Sequence, residues 1–221
     1  VLLETSQHAL RTGDTLLHGS GQAYLPGTMG DVQHHYESED AELVRHVLGQ
    51  RYHAVVGNPP YITVKDKALN LLYRERFGSC SGKYSLAVPF MEVFFALAVR
   101  ADQNPTTQAG YVGMITSNSF IKREFGKKLV EEYIPQWDLT HVIDTSGAYI
   151  PGHGTPTVVL FGRNQPPVAS TIRTVMGIKG EPATPEDPAH GLVWTAIVNQ
   201  VDHQGTESDF VSVADTAREN F

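Results

Sequence analysis

Residues 53–64 read HAVVGNPPYITV, and the fold turns on how this stretch is parsed. Ala54, Val55 and Val56 form a short apolar run of the kind that makes a buried strand. Pro59 and Pro60 have no backbone N–H and cannot continue a sheet ladder, so the strand must end before them. Gly57 is expected to let the chain turn there without steric cost. The result is a stiff, extended corner that presents the Asn58 side chain, the Pro59 carbonyl and the Tyr61 ring at the carboxyl end of a strand. In open α/β sheets that edge is where ligands bind.

Outward from the corner, strands and helices alternate. On the N-terminal side, residues 8–17 (HALRTGDTLL) read as a strand or strand end with Asp14 at its tip. Residues 18–31 read as a Gly- and Pro-containing loop, and residues 38–50 (SEDAELVRHVLGQ) as a helix capped by Ser38 and stopped at Gly49. On the C-terminal side, Leu69, Leu72 and Tyr73 have helical spacing. Residues 85–101 (SLAVPFMEVFFALAVRA) predict a strongly apolar helix with Pro89 in or near its first turn. AGYVGMITSNSF predicts a second buried strand. SFIKREFGKKLVEEYIP predicts one helix with Phe120, Phe125, Leu129 and Tyr133 on a common side. LTHVIDTSG and TPTVVLFGRN predict two further strands, joined without a helix by AYIPGHG.

That order is the ending of a doubly wound α/β sheet closed by an antiparallel strand pair. The Gly-rich turn that opens such sheets is absent from the sequence before residue 8. The catalytic-type unit is expected over residues 1–165. Residues 166–221 are expected to form a linker and a β-rich extension, with strand-like TIRTVMGIKG and LVWTAIVNQV.

The bulk numbers exclude several function classes. The chain has 221 residues, enough for one well-buried domain or slightly more, and a single cysteine, Cys80, so no internal disulfide can form and a reducing, cytoplasmic setting is expected. No apolar run reaches membrane-spanning length. Cys80 has no neighbour in sequence that would lower its pKa, and His34-His35 lack a second ligand pair at zinc spacing, so neither a thiol nucleophile nor a metal site is expected. The net charge of −7 is unevenly spread: residues 62–128 carry ten Lys and Arg against five Asp and Glu, a net of +5, and the flanks seven against nineteen, −12. The basic segment directly follows the Pro-Pro corner. Lys65, Lys67, Lys122, Arg123, Lys127 and Lys128 are its candidates for nucleic-acid phosphate contacts.

The corner also has a chemical reading. An adenine amino group is a poor nucleophile because its lone pair is delocalised into the ring. Two acceptors gripping its two N–H bonds draw the nitrogen toward tetrahedral geometry and localise that pair; the Asn58 side-chain oxygen and the Pro59 carbonyl are two such acceptors. Tyr61 offers a flat face for an extruded base.

GNPPYI after a buried strand resembles the catalytic motif of class I amino-methyltransferases that use S-adenosylmethionine. GDTLL resembles their acidic loop, and GYVGMITSNSF the next strand of the adenine-N6 enzymes of the gamma type. The longer run from YHAVVGNPPYITVKDKALN through KYSLAVPFMEVFF to THVIDTSGAYIPGHGTPTVVLFGRN is similar to the PglX-type methyltransferases of phage-defence systems (BREX, phage growth limitation). The resemblance covers roughly residues 8–165 and implies a Rossmann-like class I methyltransferase sheet. It implies that Asn58 and Pro59 hold the target amino group, that Pro60 fixes the turn, that Tyr61 stacks on a flipped adenine in double-stranded DNA, and that Asp14 accepts from the cofactor's adenine. Tyr149 is the candidate for a second stacking aromatic. It further implies methylation of adenine N6 in host protection or restriction, with other defence-system proteins as partners. Methylation of a protein glutamine or RNA guanine amino group, and a non-catalytic binding role, stay open as alternatives. His153 is read as a loop residue, because amino methylation needs no proton removed before transfer.

The family's Gly-rich first motif and its ribose-binding acid are not in this sequence. The chain by itself is therefore expected to be catalytically silent and prone to self-association through an uncovered strand edge and apolar face.

Overall fold

The computed structural model describes residue 16 and residues 46–101, 108–152 and 154–220. Asp14, His34, His35, Ser38 and His153 lie outside the described residues, as do most of the two elements expected before residue 46. Leu16, in the stretch read as a strand, is helical and buried in the main core. An alternation as short as that of residues 8–17 does not by itself select the strand period.

Among the described residues six strands form one sheet: β1 (Ala54–Gly57), β2 (Tyr111–Ser117), β3 (Asp138–Asp144), β4 (Thr157–Arg163), β5 (Thr171–Gly177) and β6 (Val211–Ala217), in the spatial order β1-β2-β4-β3-β5-β6. β1 and β2 are parallel, as are β3 and β5; β4 runs antiparallel to both β2 and β3, and β6 to β5. β4 is slotted between two strands that precede it in the chain. The short AYIPGHG connection makes this possible, since an antiparallel neighbour needs no crossover helix.

Successive residues of each strand face opposite sides of the sheet, and the two sides are covered differently. Val112, Met114, Leu139, Val142, Leu160 and Ile172 face the larger core, against the helices α1 (Lys67–Arg76) and α2 (Ala87–Leu97). Pro89 falls in the first turn of α2, as its missing N–H allows. On the other side, Ile143, Val175, Val211 and Val213 pack with Val193, Ala196 and Ile197 of a C-terminal helix. Where that helix stops, no described element covers the face. Val56, Tyr111 and Phe161 lie on it in adjoining register, at 81%, 61% and 43% exposure.

β1, read as a buried strand, is the end strand of the described sheet with Ala54 and Val56 exposed, and two longer stretches also differ from expectation. SFIKREFGKKLVEEYIP is not one helix but a short α3 (Ser119–Lys122), a 3-10 turn (Glu124–Gly126), a π turn (Leu129–Tyr133) and a second 3-10 turn (Ile134–Gln136). Arg123 is extended, and the chain doubles back so closely that a Cβ on Gly126 would fall 1.8 Å from the Phe120 carbonyl oxygen. The apolar positions still serve the core: Phe120, Phe125 and Leu129 are buried, and Tyr133 is half-buried. The second difference is Leu192–Gln200, read as strand-like but forming α4. Its β-branched residues favour a strand locally, yet Val193, Ala196 and Ile197 fall on one helical face and are buried there, and the tertiary packing overrides the propensity.

Residues 171–217 are joined to the strands before residue 165 by the β3–β5 pairing and by Asp138. This carboxylate is 1% exposed. Its Oδ2 accepts from Arg163 Nη2 at 2.6 Å and Nε at 3.0 Å and from Gln165 Nε2 at 3.1 Å; its Oδ1 accepts from Arg218 Nη2 at 2.8 Å and the Val168 N–H at 3.2 Å. Burial alone would push the Asp138 carboxyl up, but these donors outweigh it and hold the group below its ordinary value.

Candidate functional site

The carboxyl ends of β1, β2 and β3 share one edge of the sheet, because Gly57 registers with Met114 and Ser117 with Thr157, while Asp144 registers with Val158 at the start of β4. The corner at Asn58–Tyr61 leaves from that edge. Gly57 is not there for turning. Among the described residues, positive φ occurs at Gly82, Gly152 and Gly205, and Gly57 is not one of them. Instead the Phe94 ring of α2 lies against it, so that a Cβ on Gly57 would meet that ring at 2.5 Å. Phe94 is braced in turn by an edge-to-face contact with Phe90 at 6.0 Å between centroids.

Beyond the prolines the chain is fixed at once. The Leu86 N–H donates to the Ile62 carbonyl at 2.9 Å, Thr63 bridges Ser85, and Asp66 caps α1 by accepting from the Leu69 N–H at 2.8 Å. Pro59 is buried, Tyr61 half-buried against the main core, and Asn58 and Pro60 exposed. The corner thus stands on a packed base with Asn58 exposed.

The Tyr61 hydroxyl donates to Asn58 Oδ1 at 2.6 Å. Burial raises the pKa of this phenol, so it stays a donor throughout the neutral range. A carboxamide oxygen has two lone pairs, so this bond orients the acceptor and leaves one pair for an incoming N–H. No local sequence signal distinguishes such a contact from a tyrosine that only stacks.

Tyr149 is half-buried in the loop of residues 145–156, which leaves the same edge from the end of β3 and returns into β4. The loop is latched at its base: Thr145 and Thr157 exchange a side-chain hydrogen bond at 2.8 Å, the Thr145 N–H donates to the Thr157 carbonyl at 3.1 Å, and the Asn118 N–H donates to the Pro156 carbonyl at 3.1 Å. Within it lies a small cavity lined by Thr145, Ser146, Ala148, Ile150, Thr155 and Pro156.

The six basic candidates divide by place. Lys65 and Lys67 are exposed directly after the corner; Lys122, Arg123 and Lys127 are exposed after β2 and line an open groove with Glu124 and Glu131. Lys128 is half-buried and its charge acts inward on Glu92 of α2, whose carboxyl is raised by burial and accepts from the Ser79 N–H at 2.7 Å. Burial, with Glu92 nearby, pushes the Cys80 thiol up to about 12, which is far from a reactive thiolate. Among the described residues no His, Cys, Asp and Glu cluster could hold a metal ion, and no helix is long and apolar enough to cross a membrane.

An α/β sheet with the antiparallel strand β4 slotted between β2 and β3, and an Asn-Pro-Pro-Tyr corner at the shared carboxyl edge, has the Rossmann-like class I methyltransferase architecture. The chain belongs to the Eco57I restriction-modification methylase family, which it matches over residues 25–150. It is 52% identical over 223 aligned residues, 96% of this chain, to the adenine-specific methyltransferase PglX of Streptomyces coelicolor, and 29% identical over 97 residues, 42% of this chain, to the type II methyltransferase M.BstVI of Geobacillus stearothermophilus. The aligned parts are 18% and 16% of those two relatives, so the chain spans less than a fifth of their length. Two crystal structures share the fold: one described as a type I restriction-enzyme modification subunit from Vibrio vulnificus (TM-score 0.55, 14% identity, 76% of this chain and 34% of that one) and the type IIG restriction endonuclease BpuSI (TM-score 0.51, 17% identity, 76% and 19%).

Proposed function

We propose that this chain supplies the base-receiving part of an adenine-N6 DNA methyltransferase that works in restriction-modification or phage defence. The observation that carries the reading is the Asn58–Tyr61 pair: an exposed asparagine whose amide oxygen is oriented by a phenol, on a corner made stiff by two prolines at the sheet's carboxyl edge. The 52% identity to an adenine-specific methyltransferase supports it.

In this reading S-adenosylmethionine supplies the methyl group when bound. The corner's two acceptors are matched to an amino group rather than to that donor. Asp14, outside the described residues, is this chain's candidate for holding the cofactor's adenine. Asn58 Oδ1 and the Pro59 carbonyl accept from the two N–H bonds of the target amino group, and both interactions strengthen as the nitrogen becomes tetrahedral, which is where they lower the barrier. Tyr61 stacks on the extruded adenine, and Tyr149, from the neighbouring loop, is proposed to close on it as a second aromatic. The Pro60 ring fixes the turn. Lys65, Lys67, Lys122, Arg123 and Lys127 are placed after the strands that end at the site, where a duplex carrying the flipped base would present its phosphates.

Transfer of labelled methyl groups by the full-length protein to double-stranded DNA, to RNA and to protein tests the proposal. Label is expected in DNA as N6-methyladenine, and label in RNA or protein alone would overturn it.

A further inference from the structure

We infer that Glu181 is a positioning residue for the reaction: it ties the start of α4 to the loop that carries Tyr149, so that the C-terminal extension sets where that loop stands. This rests on the reading of residues 145–156 as the loop that faces the target base.

Glu181 has two sets of contacts. Its side chain spans the N-terminus of α4, Oε1 accepting from the Leu192 N–H at 2.9 Å and Oε2 from the Val193 N–H at 3.1 Å, which satisfies two of the amides that a helix start leaves without partners. The helix approaches closely enough that a Cβ on Gly191 would fall 3.0 Å from Glu181 Oε2. Its backbone N–H donates to the Gly147 carbonyl at 2.9 Å, two residues before Tyr149.

The backbones meet there without intervening side chains. A Cβ on Gly147 would lie 3.2 Å from both Gly180 Cα and the Lys179 carbonyl, tighter than ordinary contact, whereas a Cβ on Gly180 would meet Gly147 at an unstrained 3.6 Å. Ala148 packs on the same small core as Val193 and Ile197. The other side of the bridge is also held, since the Ile178 and Lys179 N–H groups both donate to the Phe210 carbonyl, beside β6. A continuous chain of contacts therefore runs from α4 and β6 through Glu181 to the backbone beside Tyr149. Deleting the Glu181 side chain frees the bridge from α4 and loosens the Tyr149 loop.

The test uses Glu181→Ala, Glu181→Gln, Gly147→Ala and Gly180→Ala in the full-length protein. Amide hydrogen exchange reads the tie directly: Glu181→Ala and Gly147→Ala are expected to speed exchange across residues 145–152 about tenfold, and Gly180→Ala to leave it unchanged. Glu181→Gln, which keeps one capping oxygen, is expected to restore most of the protection. Faster exchange confined to residues 192–196 in Glu181→Ala would reduce the residue to a helix cap and overturn the proposal.

Turnover then tests the link to Tyr149. Glu181→Ala is expected to lower kcat about tenfold by misplacing the loop, with KM for S-adenosylmethionine unchanged, and to add little in a Tyr149→Ala background. Multiplying effects in the double variant would show that Glu181 does not act through Tyr149. Wild-type turnover in Tyr149→Ala itself would sink the base-facing reading, while the exchange experiment would still decide whether the tie exists.

Discussion

The Tyr61 hydroxyl donates to Asn58 Oδ1 at 2.6 Å, so the residue that offers a face to the base also orients the acceptor for its amino group. The two roles separate by substitution. Asn58→Ala is expected to abolish methylation with the fold intact, because Asn58 is exposed at a strand tip. Tyr61→Phe keeps the ring and loses the oriented hydrogen bond, which at about 0.5–1.5 kcal/mol corresponds to a roughly two- to tenfold fall in turnover. Tyr61→Ala should lose a further contribution of about 1–3 kcal/mol from stacking. Single-turnover methyl transfer measures the chemical step, and a fluorescent purine at the target position reports stacking. Wild-type turnover in Tyr61→Phe would show that the hydroxyl does not serve the acceptor.

Gly57 yields a second prediction from close approach rather than from turning. A Cβ at this position would overlap the Phe94 ring at 2.5 Å, and neither β1 nor α2 can move far, since both pack on the main core. Gly57→Ala should destabilise the protein by about 1–3 kcal/mol, as overpacking does, and displace the corner that carries Asn58. Shortening the ring by Phe94→Leu makes room, so the double variant should recover part of the missing turnover. A double variant as inactive as Gly57→Ala alone would mean that the glycine serves something other than Phe94. Thermal unfolding and single-turnover rates measured together decide this.

What the sequence disclosed and what it hid follow from the range of the interactions. The corner was legible because proline removes a donor wherever it stands, and β2, β3 and β4 because their apolar runs are bounded by turn residues. Neither depends on a distant partner. The purpose of Gly57 was hidden because Phe94 reaches it across 37 positions in sequence. Likewise Arg218 reaches Asp138 from 80 residues away, and an isolated aspartate at a strand start gives no sign of being a hub. α4 was a nearer case. Its Val, Ile, Trp and Thr favour a strand, but the spacing of Val193, Ala196 and Ile197 was helical, and burial against Val175 and Val211 decided between the two.

The Asp138 hub predicts how the sheet responds to acid. Its carboxyl is held below the ordinary value in the folded protein, so it contributes stability that is fully present above the unfolded-state value of about 3.9 and is lost as pH falls through the lower folded value. Asp138→Ala removes the common partner of Arg163 and Arg218, and breaking a buried pair in this way typically costs about 3–5 kcal/mol. The upper end does not apply, because both arginines are partly exposed. The difference in denaturant stability between wild type and variant should be constant at neutral pH and shrink below about pH 4, as the wild-type carboxylate becomes protonated. A difference that persists unchanged in acid would mean that packing, and not the charge, gives Asp138 its effect.

The basic residues predict a graded response to salt. Lys65 and Lys67 follow β1, and Lys122, Arg123 and Lys127 follow β2, all exposed; Lys128 is half-buried, with its charge directed at Glu92. If the exposed five neutralise DNA phosphates, replacing any one by glutamine should weaken binding to every DNA sequence alike. It should also lower the slope of log K against log salt by about 0.9 for each phosphate no longer neutralised. Lys128→Gln should leave the slope unchanged and appear instead as reduced stability, because it removes a counter-charge from the half-buried Glu92. Glu124 and Glu131 beside the second group give an internal control: replacing them by glutamine should tighten binding, since they repel phosphate along the same groove. Fluorescence anisotropy across a salt series with specific and scrambled duplexes measures all of these slopes. Slopes that stay at the wild-type value in all five single variants would return these residues to ordinary solvated surface and place the DNA path elsewhere on the protein.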